Sequence, residues 1–153
     1  MGSKERAMTT SLALQRVPRQ QGRLSPLLNP RPRKQVLLIE DDKNLVHSLA
    51  RFLRKRAFDM LVEYRGDTGL ETALFAEPDA ILLDLGLPGM RGTKVLEELQ
   101  RLAPHIPVVV ITGEARLKVA VSRWNNVCAF YSKPFPAPRL VRLLDTLLGP
   151  PLD

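Results

Sequence analysis

The sequence predicts an α/β fold, a doubly wound five-stranded parallel sheet with five helices covering its two faces. Three observations carry this reading. Short apolar runs without polar alternation recur along the chain, as in strands buried on both faces of a parallel sheet. Between them, apolar residues fall at helical spacing, so strand and helix alternate and the connections are crossovers. The strongest runs close on polar or charged residues, which an open parallel sheet gathers at one edge, where its ligands bind. Right-handed crossovers reduce the remaining topologies to a doubly wound one.

Taken in order, residues 36–39 (VLLI) are the first strand, closed by Glu40-Asp41-Asp42. Leu45, Val46, Leu49, Phe52 and Leu53 then form the apolar side of a helix, with Arg51, Arg54, Lys55 and Arg56 opposite and Asp42 placed to cap it. Residues 60–63 are a weaker, outer strand. A short helix over 67–76 ends before Pro78. Residues 80–83 (AILL) form the central strand, closed by Asp84. Leu87-Pro88-Gly89 and Gly92 punctuate a loop into a helix over 93–102, with Val95, Leu96, Leu99 and Leu102 inward. Residues 107–111 (PVVVI) close on Thr112-Gly113. Residues 114–124 read as a fourth helix, ended early by Asn125-Asn126. Residues 127–131 (VCAFY) are the fifth strand, with Cys128 read as core, and they close on Ser132-Lys133-Pro134. Leu140, Val141, Leu143, Leu144, Leu147 and Leu148 line the last helix, stopped by Gly149-Pro150-Pro151.

The 153 residues suit one domain, and 44% apolar with 25% charged residues are soluble globular values. No stretch approaches the roughly 18 apolar residues of a membrane span. Residues 9–14 are too short an apolar run for a secretory signal, and Arg16 interrupts them. One cysteine allows no internal disulfide, which fits a reducing, cytoplasmic setting. The net charge of +7 lies wholly in residues 1–34, where eight basic residues face Glu5; the rest holds fifteen basic and fifteen acidic groups. Residues 1–33, with four prolines, read as a flexible basic Pro/Arg-rich extension, 34–149 as the folded domain and 150–153 as a C-terminal tail. Nucleic-acid contact is expected only through that basic extension, which has no aromatic residue for base stacking.

The strand ends bring together Glu40, Asp41 and Asp42 from the first strand, Asp84 from the third, Thr112 from the fourth and Lys133 from the fifth. Singly, each has a bland reading: a cap, a turn residue, an acidic loop, a solvated lysine. Together on one edge the carboxylates repel one another unless a cation joins them. Oxygen-only ligands with few carboxylates favour Mg²⁺. Lys133 and Thr112 then supply the charge and hydroxyl that a phosphoryl group needs, and Asp84 is a reasonable nucleophile.

The segments LLIEDD, ILLDLGLPGMRG, VVVITG and SKPF, in this order and spacing, resemble the receiver domain of bacterial response regulators over residues 34–149. The resemblance implies a flavodoxin-like sheet of order 2-1-3-4-5. It implies that Asp84 accepts phosphate from a histidine kinase or phosphotransfer protein. It further implies that Asp41 binds Mg²⁺ directly, Glu40 through water, and that the backbone carbonyl of Gly86 completes the metal site. Thr112 would bond the phosphoryl group and shift inward, and Lys133 would pair with it, through a cis peptide to Pro134. Phe130 stands at the switch-aromatic position, where many members have tyrosine. Gly86 and Glu114 stand at the two positions that tune the attacking water. The implied molecule is a signalling switch, not an enzyme, that alters the face of its fourth helix, fifth strand and fifth helix for a downstream protein partner or a homodimer.

Three other readings fit less well. A haloacid dehalogenase-type hydrolase needs a second acid where Gly86 stands. A flavodoxin needs a phosphate loop after the first strand, where Glu40-Asp41-Asp42 would repel it. A DNA-binding regulator needs an output domain, and only residues 150–153 follow the last helix. The chain therefore reads as a stand-alone receiver or as part of a longer regulator or hybrid kinase. A receiver acting only as a docking module is the alternative to phosphorylation.

Overall fold

Three apolar runs become fully or almost fully buried strands, and their burial decides the layering. In the computed structural model, residues 33–149 are described. The extension read at 1–33 lies outside the described residues except for Arg33, as does the tail at 150–153. The elements are β1 (Gln35–Ile39), α1 (Lys43–Lys55), β2 (Asp59–Glu63), α2 (Gly66–Ala76), β3 (Ala80–Leu83), α3 (Gly92–Leu102), β4 (Val108–Thr112), a 3₁₀ turn (Ala115–Leu117), α4 (Lys118–Val121), β5 (Val127–Ser132) and α5 (Ala137–Leu148). All strand pairs are parallel, in the order β2-β1-β3-β4-β5, as expected. No described helix is long and apolar enough to cross a membrane.

Alternate residues of each strand feed two separate cores. Val36, Leu38, Ala80, Leu82, Val109 and Ile111 pack against α1 and α5 through Leu49, Leu53, Leu140 and Leu144. Leu37, Ile39, Ile81, Leu83, Val108 and Val110 pack against α2 and α3 through Ala73, Val95, Leu96 and Leu99, and against Val121 of α4. Every residue of β3 and β4 is buried, which is why neither shows polar alternation. β2, at one edge, is half-buried throughout, consistent with its weaker sequence signal. Asp42 caps α1, its carboxylate accepting from the N–H groups of Asn44 and Leu45.

Several expectations fail locally, each for a physical reason. The helix read at 114–124 is only a 3₁₀ turn and one α-helical turn. Val121 is the only buried residue in the two pieces, so little packing sustains a longer helix, and Ser122 donates its hydroxyl to the Val119 carbonyl. Cys128 is exposed rather than core. The β4–β5 register slips between Val108, opposite Val127, and Val109, opposite Ala129. Cys128 is thus the extra residue of a bulge on an edge strand, with its thiol donating to the Val108 carbonyl at 3.3 Å. Phe52, Leu102 and Leu147, read as inward, are exposed. Phe52 sits at the margin of the α1 apolar arc, and the other two lie in the last turns of their helices.

The glycines that set the α2–α3 geometry are not interchangeable. A Cβ on Gly66 would fall 1.8 Å from the Met90 carbonyl oxygen, a backbone atom that cannot swing away. Nothing lies within 4 Å of a Cβ on Gly113, whose φ is not in the left-handed region. Gly66→Ala is therefore expected to destabilise by about 1–3 kcal/mol through overpacking, despite the better helix propensity of alanine. Gly113→Ala should stay near the wild-type urea midpoint. Equal midpoints for the two variants would contradict the packing.

Candidate functional site

The central pairing of the sheet sets two carboxylates side by side. Ile39 lies opposite Leu83 in the β1–β3 ladder, and the Asp84 N–H donates to the Ile39 carbonyl at 3.0 Å. Glu40 and Asp84 therefore leave adjacent strands at the same level, and both are buried. Asp41 is exposed beside them, and ligand oxygens of Glu40, Asp41 and Asp84 all lie within 4.8 Å of one another. On the other side Thr112 faces Ser132 across β4–β5, and the Lys133 N–H donates to the Thr112 carbonyl at 2.9 Å. The peptide bond between Lys133 and Pro134 is cis.

From there the Lys133 side chain reaches back across the sheet edge. Its ammonium lies 2.5 Å from Glu40 Oε2 and donates to Asp84 Oδ2 at 3.0 Å. Backbone N–H groups hold the other oxygens: Asp42 donates to Glu40 Oε1 at 3.0 Å, and Gly86 to Asp84 Oδ1 at 3.2 Å. Burial, and then repulsion from Asp84, push the Glu40 carboxyl above its ordinary range, although Lys133 and the Asp42 N–H pull the other way. Burial alone would depress the Lys133 ammonium, but hydrogen bonds to Glu40 and Asp84 outweigh it and hold the group above its ordinary value. Three carboxylates face one ammonium, so the cluster keeps an excess of negative charge. Its ligand atoms are all oxygens, contributed by Glu40, Asp41 and Asp84. This donor set fits a hard divalent cation.

The remaining expected residues divide by position. Thr112 is buried at the end of β4, its hydroxyl oxygen accepting from the Glu114 N–H at 3.2 Å. The Glu114 carboxylate reaches over Gly86: a Cβ there would lie 3.6 Å from Glu114 Oε1 and 3.9 Å from each Asp84 carboxylate oxygen. Phe130 is half-buried and packs, with Trp124 and Val127, against the core cluster that contains Val121. The reading of the sequence gave Gly92 no role at the site beyond punctuation. A Cβ on Gly92 would fall 2.4 Å from the Asp84 carbonyl oxygen, so its absence lets α3 begin directly beneath that residue. The available signal was a glycine opening a helix despite its poor propensity there.

Comparison with known proteins settles the relationship. The response regulator receiver domain family matches residues 36–145, more than half of the chain. The chain belongs to that family. The sensory transduction protein RegX3 of Mycobacterium tuberculosis is 33% identical over 114 residues, which cover 74% of this chain and 50% of RegX3. The cell cycle response regulator CtrA of Brucella ovis is 29% identical over 114 residues, 74% of this chain and 49% of CtrA. This receiver domain thus spans about half the length of those relatives. Among solved structures, a CheY-like receiver domain protein from Methanospirillum hungatei superposes with a TM-score of 0.68 at 26% identity, covering 74% of this chain and 93% of that one. The BeF₃-activated receiver domain of Klebsiella pneumoniae RstA gives 0.67 at 29% identity, covering 76% and 100%.

The raised Glu40 carboxyl has a signed consequence for the metal-free receiver. The folded state holds this proton more tightly than the unfolded chain, whose value is near 4.5. The stability linked to it is therefore full below that value and declines as pH rises through the folded one. Relative to Glu40→Gln, wild type is expected to lose stability as pH rises from about 4.5. Urea midpoints of both proteins across that range check this, and a constant difference would contradict it.

Proposed function

We propose that this receiver domain is a phosphoacceptor switch that takes a phosphoryl group from a histidine kinase, or a phosphotransfer protein, onto Asp84. One observation carries the reading: the Lys133 ammonium bridges the two buried carboxylates, Glu40 and Asp84, at the ligand-binding edge of the sheet. The Asp84 carboxylate is the nucleophile. It is held by the Gly86 N–H on one oxygen and by Lys133 on the other, so it can turn little before attack. Lys133 would screen the incoming phosphoryl oxygens, and the Thr112 hydroxyl, at the end of the neighbouring strand β4, would donate to them.

Glu40, Asp41, Asp84 and the Gly86 carbonyl would hold Mg²⁺. When bound, the ion would neutralise charge between the acceptor carboxylate and the phosphoryl group. The chain acts as a switch, not as an enzyme that turns over a free substrate, in the cytoplasm where kinases of this type work. Thr112 is tied through the Glu114 N–H to the loop before α4, so movement of its hydroxyl would be felt there and at Phe130. That is the route by which a downstream protein, or a second copy meeting the α4, β5 and α5 face, would sense phosphorylation. A bias of about 1–3 kcal/mol between two packings is typical of such coupling.

Intact mass after incubation with Mg²⁺ and acetyl phosphate tests the acceptor. Wild type should gain one phosphoryl group and Asp84→Asn none. A gain in both would move the site elsewhere, and no gain in either would leave the docking-module alternative. Mg²⁺ at ten times its dissociation constant should also stabilise wild type by about 1.4 kcal/mol. Thermal unfolding of Asp41→Asn should show no such gain, and equal gains would remove Asp41 from the ligand set.

A further inference from the structure

We propose that the Arg65–Asp67 ion pair at the head of α2 clamps the loop after Asp84 and so sets the affinity of the site for Mg²⁺. Both are positioning residues that act through Gly86. The inference rests on the reading above, in which the Gly86 carbonyl completes the metal site, and it adds two residues outside that ligand set.

Residues 84–92 leave β3 and return into α3 as a closed loop. Its base is tied by the Gly92 N–H, which donates to the Leu85 carbonyl at 3.1 Å. Leu85 and Leu87 are buried, whereas Gly86, Pro88 and Gly89 are exposed. The tip is held by the first residues of α2. The Gly66 N–H donates to the Pro88 carbonyl at 3.2 Å. On either side of Gly66, Arg65 and Asp67 close over Gly89: a Cβ there would fall 2.7 Å from Arg65 Nη2 and 2.7 Å from Asp67 Oδ1. Gly89 has a φ of +73°, so the turn and the clamp both require a glycine at this point.

The clamp is stiff. Arg65 Nε donates to Asp67 Oδ1 at 3.0 Å and Nη2 to Oδ2 at 2.9 Å, the two-pronged geometry that a guanidinium fork gives a carboxylate. The Thr68 N–H adds a third bond to Oδ1 at 3.0 Å, which fixes the carboxylate to the helix start. Both side chains are about half exposed, and an exposed ion pair contributes little to stability. Its place decides its use. The pairs of Lys94 with Glu97 and Glu98, and of Arg101 with Glu98, join residues of one helix. Arg65–Asp67 instead abuts a loop from another part of the chain, three residues after Gly86. Gly86 has no side chain to anchor its peptide, so the direction of its carbonyl is inherited from the turn that follows. Groups that orient a metal ligand in this way are worth about 10–100-fold in metal affinity.

Charge alone would act differently on a site with an excess of carboxylates. Losing the Arg65 cation would tighten Mg²⁺ binding, and losing the Asp67 anion would weaken it. A clamp fails when either half is removed. Calorimetric titration of the full chain with Mg²⁺ separates the two. Arg65→Gln and Asp67→Asn should each bind about tenfold more weakly than wild type, and the double variant no more weakly than either. Arg101→Gln, which breaks an exposed pair at the far end of α3, should match wild type. In the metal-free protein, the Gly66 and Gly92 amides should exchange hydrogen faster in both clamp variants, with the β4 amides unchanged. Opposite shifts in the two variants, or wild-type affinity in both, would overturn the proposal alone. No Mg²⁺ binding by wild type would overturn the ligand set and the proposal together.

Discussion

The contact on which the rest of the site depends is the Lys133 ammonium against Glu40 and Asp84. Two carboxylates buried on neighbouring strands are costly unless a positive charge meets both. Lys133 meets them from the far edge strand, so the geometry of β1, β3, β4 and β5 must hold together for the site to exist. The ladder hydrogen bonds at the strand ends, Asp84 to Ile39 and Lys133 to Thr112, fix the levels at which the charges leave the sheet. One ammonium against three carboxylates leaves the cluster short of positive charge, a deficit that suits a cation.

Backbone economy around this contact is as demanding as the charges. α3 begins beneath Asp84 only because Gly92 has no side chain, and α2 approaches the Met90 carbonyl only because Gly66 has none. The open space above Gly86 is bordered by the Glu114 carboxylate, so the approach to Asp84 is narrowed by a negative group on one side. The shortness of α4 leaves the surface next to it composed largely of the β5 edge and the 3₁₀ turn. A partner reading this face would meet a strand edge with an exposed thiol rather than a long helix.

Much of the fold was legible in the sequence because burial on both faces leaves a plain mark. AILL and VVVI could hardly be anything but central strands, and the polar residues that close them located the site. The order of the strands came from family resemblance, since periodicity does not encode it. What was not legible depended on tertiary detail. Cys128 sits in an apolar run, yet a one-residue bulge turns it outward. Residues 114–124 carry helix-forming types, yet only Val121 finds a core to pack against. Gly66 and Gly92 read as punctuation because the backbone atoms they accommodate come from distant parts of the chain.

The account rests on Lys133 and Asp84 acting as one unit, and a double-mutant cycle measures that coupling directly. Urea unfolding of metal-free wild type, Asp84→Asn, Lys133→Gln and the double variant at neutral pH gives the interaction energy. The account requires a favourable coupling of about 1–3 kcal/mol, as for groups sharing one network. Additivity within about 0.3 kcal/mol would mean that the ammonium and the carboxylate are neighbours without mutual dependence, and would contradict it.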